Sequence, residues 1–105
     1  MKDDMRRVDD KLQGPVLIEE DLAVHGIVTG DATLSSGAKL VLHGTITGDL
    51  IIEPRAKAII HGTVNGMVIN DGGRAEIFGT VDVIMDRSPE AVTVVDPVAS
   101  VRVRR

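Results

Sequence analysis

The sequence predicts an all-β, single-domain, three-sided parallel β-helix of about five coils of 17–18 residues, and three observations carry that prediction. The stretch HGIVTGD at 25–31 returns as HGTITGD at 43–49 and as HGTVNGM at 61–67, each copy starting eighteen positions after the one before. Inside this repeat runs a period of six, with aliphatic side chains at Leu22, Val28, Leu34, Leu40, Ile46, Ile52, Ala58 and Val64. The third observation is composition: 43% of the chain is hydrophobic, yet it holds one Phe, no Trp and no Tyr. Neither a helical spacing of about 3.6 nor a long simple alternation accounts for a period of six. Three short strands per coil, each about six residues with its corner, do. A narrow prism fills best with aliphatic and small side chains, which explains the missing aromatics.

Taken in order, residues 1–14 are polar and mixed in charge, a tail or a short cap over the first coil. Val16 lies six positions before Leu22, so the β-helix domain is placed at residues 15–105 with its first strand near Pro15. Units begin LAVHG at 22, LVLHG at 40 and AIIHG at 58; a fourth, AEIFG, begins at 75 and a fifth, VTVVD, at 92, each seventeen positions on. The shorter spacings fall at Gly72-Gly73 and Ser88-Pro89, where loops belong. This alignment puts Val92, Val94 and Val98 in the inward columns and runs the His column on into Phe78 and Val95. Val101 and Val103 alternate with Arg102 and Arg104 as a C-terminal edge strand does.

Composition narrows the function classes. A chain of 105 residues has room for one core, burying about two-thirds of its unfolded surface. With no cysteine, disulfides, thiolate metal sites and cysteine nucleophiles are excluded. The start MKDDMRRVDDK is too charged for a signal peptide, and no apolar run approaches the roughly 20 residues that cross a bilayer. The reading is a cytoplasmic protein without direct membrane insertion. A net charge of -4 with mixed signs argues against broad nucleic-acid binding, although VRVRR is locally basic.

The candidate chemical groups are columns. His25, His43 and His61 recur at one place in three coils and predict an outward ladder, whose parallel rings diverge from any common metal centre. A catalytic histidine needs an orienting partner and a cleft, and the repeat supplies neither. Asp31 and Asp49 follow Gly30 and Gly48 and are expected to cap tight turns. No cofactor, metal site or catalytic residue is assigned, and the chain reads as a non-enzyme. Outward aliphatic pairs, Val41 with Ile59 and Ile51 with Ile69, together with Phe78, form a candidate lateral interface.

The units VHGIVTGDA, LHGTITGDL, IHGTVNGMV and, degenerately, IFGTVDVI resemble the bactofilins, polymer-forming bacterial cytoskeletal proteins, over roughly residues 16–100. The resemblance implies a right-handed β-helix that assembles end to end into filaments without nucleotide, with flexible tails. The short hydrophobic, membrane-binding element of some members has no counterpart in MKDDMRRVDDK. The expected partner is then the chain itself, joined through Val16, Leu17 and Ile18 at one end and Val92, Val94 and Val98 at the other, with a protein client as a further partner. The alternative is a small monomeric or dimeric binding module, such as a toxin-neutralising immunity protein.

Overall fold

The computed structural model describes residues 5–105, and within them every regular element is a β-strand. The first coil contains β1 (Arg6–Val8), β2 (Lys11–Gln13) and β3 (Val16–Ile18). The second contains β4 (Leu22–Val24), β5 (Ile27–Thr29) and β6 (Ala32–Leu34), and the third β7 (Lys39–Leu42), β8 (Thr45–Ile46) and β9 (Leu50–Ile52). In later coils the second and third strands run together: β10 (Lys57–Ile60) with β11 (Thr63–Asn70), β12 (Arg74–Ile77) with β13 (Thr80–Asp86), and β14 (Val92–Val95) with β15 (Ser100–Arg104). All pairings are parallel. The first face is β1-β4-β7-β10-β12-β14; the other two are carried by one continuous sheet that bends within β11 and β13, with a bulge between Val64 and Met67.

Leu22, Leu40 and Ala58 stack at the predicted spacing of 18, and Ala75 follows Ala58 after 17. The ends depart from expectation. The β-helix begins at Arg6 rather than near Pro15, because the first coil is shorter: Val8 lies beneath Val24 and Leu12 beneath Val28, a spacing of 16. Counting back by 18 would put Arg6 and Asp10 in those columns, which is why the stretch 6–13 reads as polar tail. Positions 1–4 of the expected tail lie outside the described residues. With this coil the solenoid has about six turns, not five.

At the other end Thr93, not Val92, stacks on Ala75, and Val95 stacks on Ile77. The spacing there is 18 where 17 was expected. The one-residue difference turns Val92 and Val94 outward, 44% and 45% exposed, and Val98 sits in the next loop at 76%. Val95, Ala99 and Val101 take the inward places.

The core is a set of aliphatic columns. Val24, Leu42, Ile60 and Ile77 form one, Val28, Ile46, Val64 and Val81 another, each side chain essentially without solvent contact. A fully buried side chain of this size contributes about 2 kcal/mol, so stability is spread along the whole length.

The glycine of each HG pair marks the corner where coils approach most closely. A Cβ on Gly44 would lie 1.8 Å from the Gly26 carbonyl oxygen, and one on Gly62 1.9 Å from the Gly44 oxygen. Those oxygens accept from the amides of Thr45 and Thr63, at 3.1 and 3.0 Å, so the approach cannot relax without breaking the stack. Gly37, by contrast, has φ of +83° and open space around it. Gly44→Ala is expected to cost about 3 kcal/mol through strain, and Gly37→Ala about 1 kcal/mol through the left-handed backbone alone. Urea denaturation of the two variants measures the contrast; equal losses would show that the HG corner has slack.

Candidate functional site

The three repeated histidines stack as the sequence predicts. Ring centroids of His25 and His43 are 4.5 Å apart with planes 16° from parallel, and those of His43 and His61 are 5.1 Å apart at 6°. Phe78 continues the ladder at 5.0 Å from His61. Val95 does not: it points toward the core over Ile77, and the next residue of the row is Asp96, whose amide donates to the Ile77 carbonyl. The imidazoles are exposed and Phe78 is half-buried. Among the described residues no three His, Asp or Glu side chains come together as a metal-ligating group.

The central ring is held toward its neutral form. The pKa of His43 is lowered from 6.5, first by loss of solvent against its neighbours, then by the flanking His25 and His61 and by Arg7.

Asp31 and Asp49 do something other than cap their own turns. The Asp31 carboxylate accepts the amide of Asp49, one coil on, at 2.8 Å, and the Asp49 carboxylate accepts that of Met67 at 2.8 Å. They tie coil to coil through side chains where the corner spares backbone acceptors. This is structural work, and each carboxylate is occupied.

The lateral candidates divide between faces. Val41 and Ile59 are neighbours on the first face, and Ile51 and Ile69 on the third; all four are half-buried. Phe78 belongs to the His row. They are separate stripes, not one patch. A depression of about 390 Å³ lies over β11, β13 and β15, and its charged groups, Asp82 and Arg102, are paired with each other.

The two ends of the prism differ. At the N-terminal end Val8, Leu12, Val16, Leu17 and Ile18 surround an open depression of about 190 Å³, rimmed by Arg6, Glu19 and Glu20. This brings the predicted Val16, Leu17 and Ile18 together at a terminal coil. Leu17 is 57% exposed. Val8 and Leu12 were missed by sequence; the signal for them is the spacing of 16 to Val24 and Val28. Val16 donates its amide to Asp31 and Ile18 accepts from Ser35, so the alternate residue, Leu17, turns its amide and carbonyl to the free edge.

At the C-terminal end some of the columns become polar, while those of Ile77 and Val81 end in Val95 and Val101. Ile18, Leu34 and Ile52 are followed in their column by Asn70 and Asp86, and Leu22, Leu40, Ala58 and Ala75 by Thr93. Asn70, 0% exposed, donates to the Val92 carbonyl and the Thr93 hydroxyl, each at 3.1 Å, and accepts from the amides of Gly72 and Gly73. The Thr93 hydroxyl donates to Asp86 at 2.6 Å. Arg104 donates to the Thr93 carbonyl at 3.0 Å and pairs with Asp86 at 3.5 Å. Val94 and Val98 lie outside this network, and Val92 joins it only through its backbone carbonyl.

No helix among the described residues is long and apolar enough to cross a membrane. Comparison of the chain with models of protein families, with characterised proteins and with solved structures finds no match.

The lowered pKa of His43 predicts that stability depends on pH. In the unfolded chain His43 takes up a proton near pH 6.5, and in the folded chain only at lower pH. Between those values the unfolded state binds more protons, so this contribution is complete above pH 6.5 and is lost as pH falls through the folded value. The arginine-bonded carboxylates of Asp71 and Asp82, lowered from 3.8, act in a separate, more acidic window. Urea midpoints are expected to fall between pH 7.5 and 5.5, and His43→Phe, which keeps a ring without the charge, to flatten that dependence. An unchanged slope in the variant would remove the ladder as its source.

Proposed function

We propose that the chain is a structural, self-associating scaffold subunit of the bactofilin type, whose units join through end coils without nucleotide. The observation that supports this best is the N-terminal end. A soluble solenoid ordinarily closes its terminal repeat with polar groups, since an open one exposes apolar columns and unpaired strand edges. Here Val8, Leu12 and Val16 stand only half-buried around the open depression, and among the described residues nothing pairs with the free edge of β3. Strand addition at such an end extends the existing ladders, and a contact that does not close on itself gives a filament.

The C-terminal network favours a second reading, a discrete binding module of the immunity-protein kind. A filament of identical head-to-tail contacts needs both ends, and Arg104 with Asp86 and Thr93 occupies one of them. The outward stripes Val41/Ile59 and Ile51/Ile69 are then the surfaces offered to a protein client.

Electron microscopy of the untagged chain over a concentration series, with light scattering alongside, separates the readings. The scaffold reading expects assemblies larger than one chain that Leu12→Lys, a charge placed inside the N-terminal coil, reduces to monomer. A monomer at every concentration in the unmodified chain would exclude it and leave the binding module.

A further inference from the structure

Resting on the self-association reading, we infer that filaments of this chain also join side by side, the third face of one copy lying on the first face of another. The two faces are alike in relief and opposite in charge. On the first, Val41 and Ile59 stand outward and half-buried in mid-strand; on the third, Ile51, Ile69 and Met85 do the same. The second face carries hydroxyls instead, in Thr45, Thr63 and Thr80.

Charge divides the same two faces. Beside Val41 and Ile59 runs a basic row, Lys39, Lys57 and Arg74. These three cations share one carboxylate, Glu76, 2.7 Å from Arg74 and 3.9 Å from Lys57, which leaves two positive charges in surplus. Asp21, one coil nearer the start, holds the Lys39 amide rather than its ammonium. On the third face Asp31 and Asp49 border the apolar row on one side, and Glu53 and Asp71 on the other. Asp71 is taken by Arg87 at 2.7 Å. Asp31, Asp49 and Glu53 accept backbone amides only and form no ion pair among the described residues, so the surplus here is negative.

Laid face to face about 10 Å apart, the two sheets bring apolar row to apolar row. Because the third face is acidic along both borders, Lys39 and Lys57 meet carboxylates whichever way the second axis runs. None of these residues belongs to the first coil. Rows on both faces repeat at the coil spacing, about 4.8 Å, so a match at one coil recurs at the next. An exposed ion pair contributes at most about 1 kcal/mol, so one subunit holds another weakly and the contact becomes firm only when repeated along a filament. Each copy has one face of each kind; the contact is heterologous, and a filament takes one neighbour on either side.

In electron microscopy, filaments of the untagged chain are expected to gather side by side at low ionic strength and to separate at high. Lys39→Glu with Lys57→Glu, which inverts the first face, and Ile69→Glu, which spoils the third, are each expected to leave single filaments of unchanged length and at least about tenfold less protein in a low-speed pellet. Thr45→Glu, on the second face, is expected to keep the bundles. Far-ultraviolet circular dichroism confirms that each variant is folded. Preformed filaments of the two face variants, once mixed, are expected to pair two by two, since each supplies the face the other lacks. Filaments of the unmodified chain that stay single at every ionic strength, bundles that survive Ile69→Glu, or mixed bundles wider than two would overturn the lateral contact and spare the end-to-end reading. A chain that stays monomeric at every concentration would sink both.

Discussion

Every coil is fastened to the one before it by backbone hydrogen bonds at the spacing of a parallel sheet, about 4.8 Å, and the rest of the structure follows from that spacing. Two coils so close can differ little in outline, so a side chain that fits one place in the prism must fit the same place in the next. The HG corner is the tightest expression. Gly44 and Gly62 leave no room for even a methyl group, because the carbonyl of the preceding glycine already occupies that space. The histidines beside them are carried into register by the same corner, and their stacking at 4.5 and 5.1 Å is the coil spacing read out on side chains.

That constraint explains why the middle of the fold could be read from sequence and the ends could not. Between Leu22 and Ile77 the columns recur at spacings of 18 or 17, and a period found at one place holds at the next. Nothing enforces the period in a terminal coil, which has a neighbour on one side only. The first coil shortens the spacing to 16, sliding Val8 and Leu12 out of the counted columns. The last face stretches the other way, with Thr80 over Ser100 at a spacing of 20. Because strand side chains alternate, a one-residue error at Thr93 exchanged inside for outside and put Val92 and Val94 on the wrong side of the wall.

The candidate site was hidden for the same reason. The conspicuous residues, His25, His43 and His61, lie where the repeat is most regular, and regularity is what a layer needs rather than what distinguishes one part of a surface from another. Asp31 and Asp49 are similar: each carboxylate is engaged with the amide one coil on, so their recurrence reports stacking. Asymmetry enters only where repeats decay. Met67 stands where a third aspartate would be, Asn70 where Ile52 sits a coil earlier, and Asp86 a coil after that. Read along the chain these are blemishes in a pattern; stacked in space, Asn70 and Asp86 join through Thr93 in one connected network.

A buried amide in an aliphatic column is costly unless its donors and acceptors are met. Asn70 meets them by turning its carbonyl oxygen to the amides of Gly72 and Gly73 and its nitrogen toward β14. The loop that shortens the fourth coil is thus anchored by the same side chain that prepares the end of the prism. From there Thr93, Asp86 and Arg104 carry polarity out to the surface in steps, each group satisfied by the next. An apolar column cut off abruptly offers itself to any strand that fits; one that turns polar over two coils has already spent its free valences inward. The decay of the repeat is therefore informative in its direction, since among the described residues it gives the C-terminal coil a polar network that the N-terminal coil lacks.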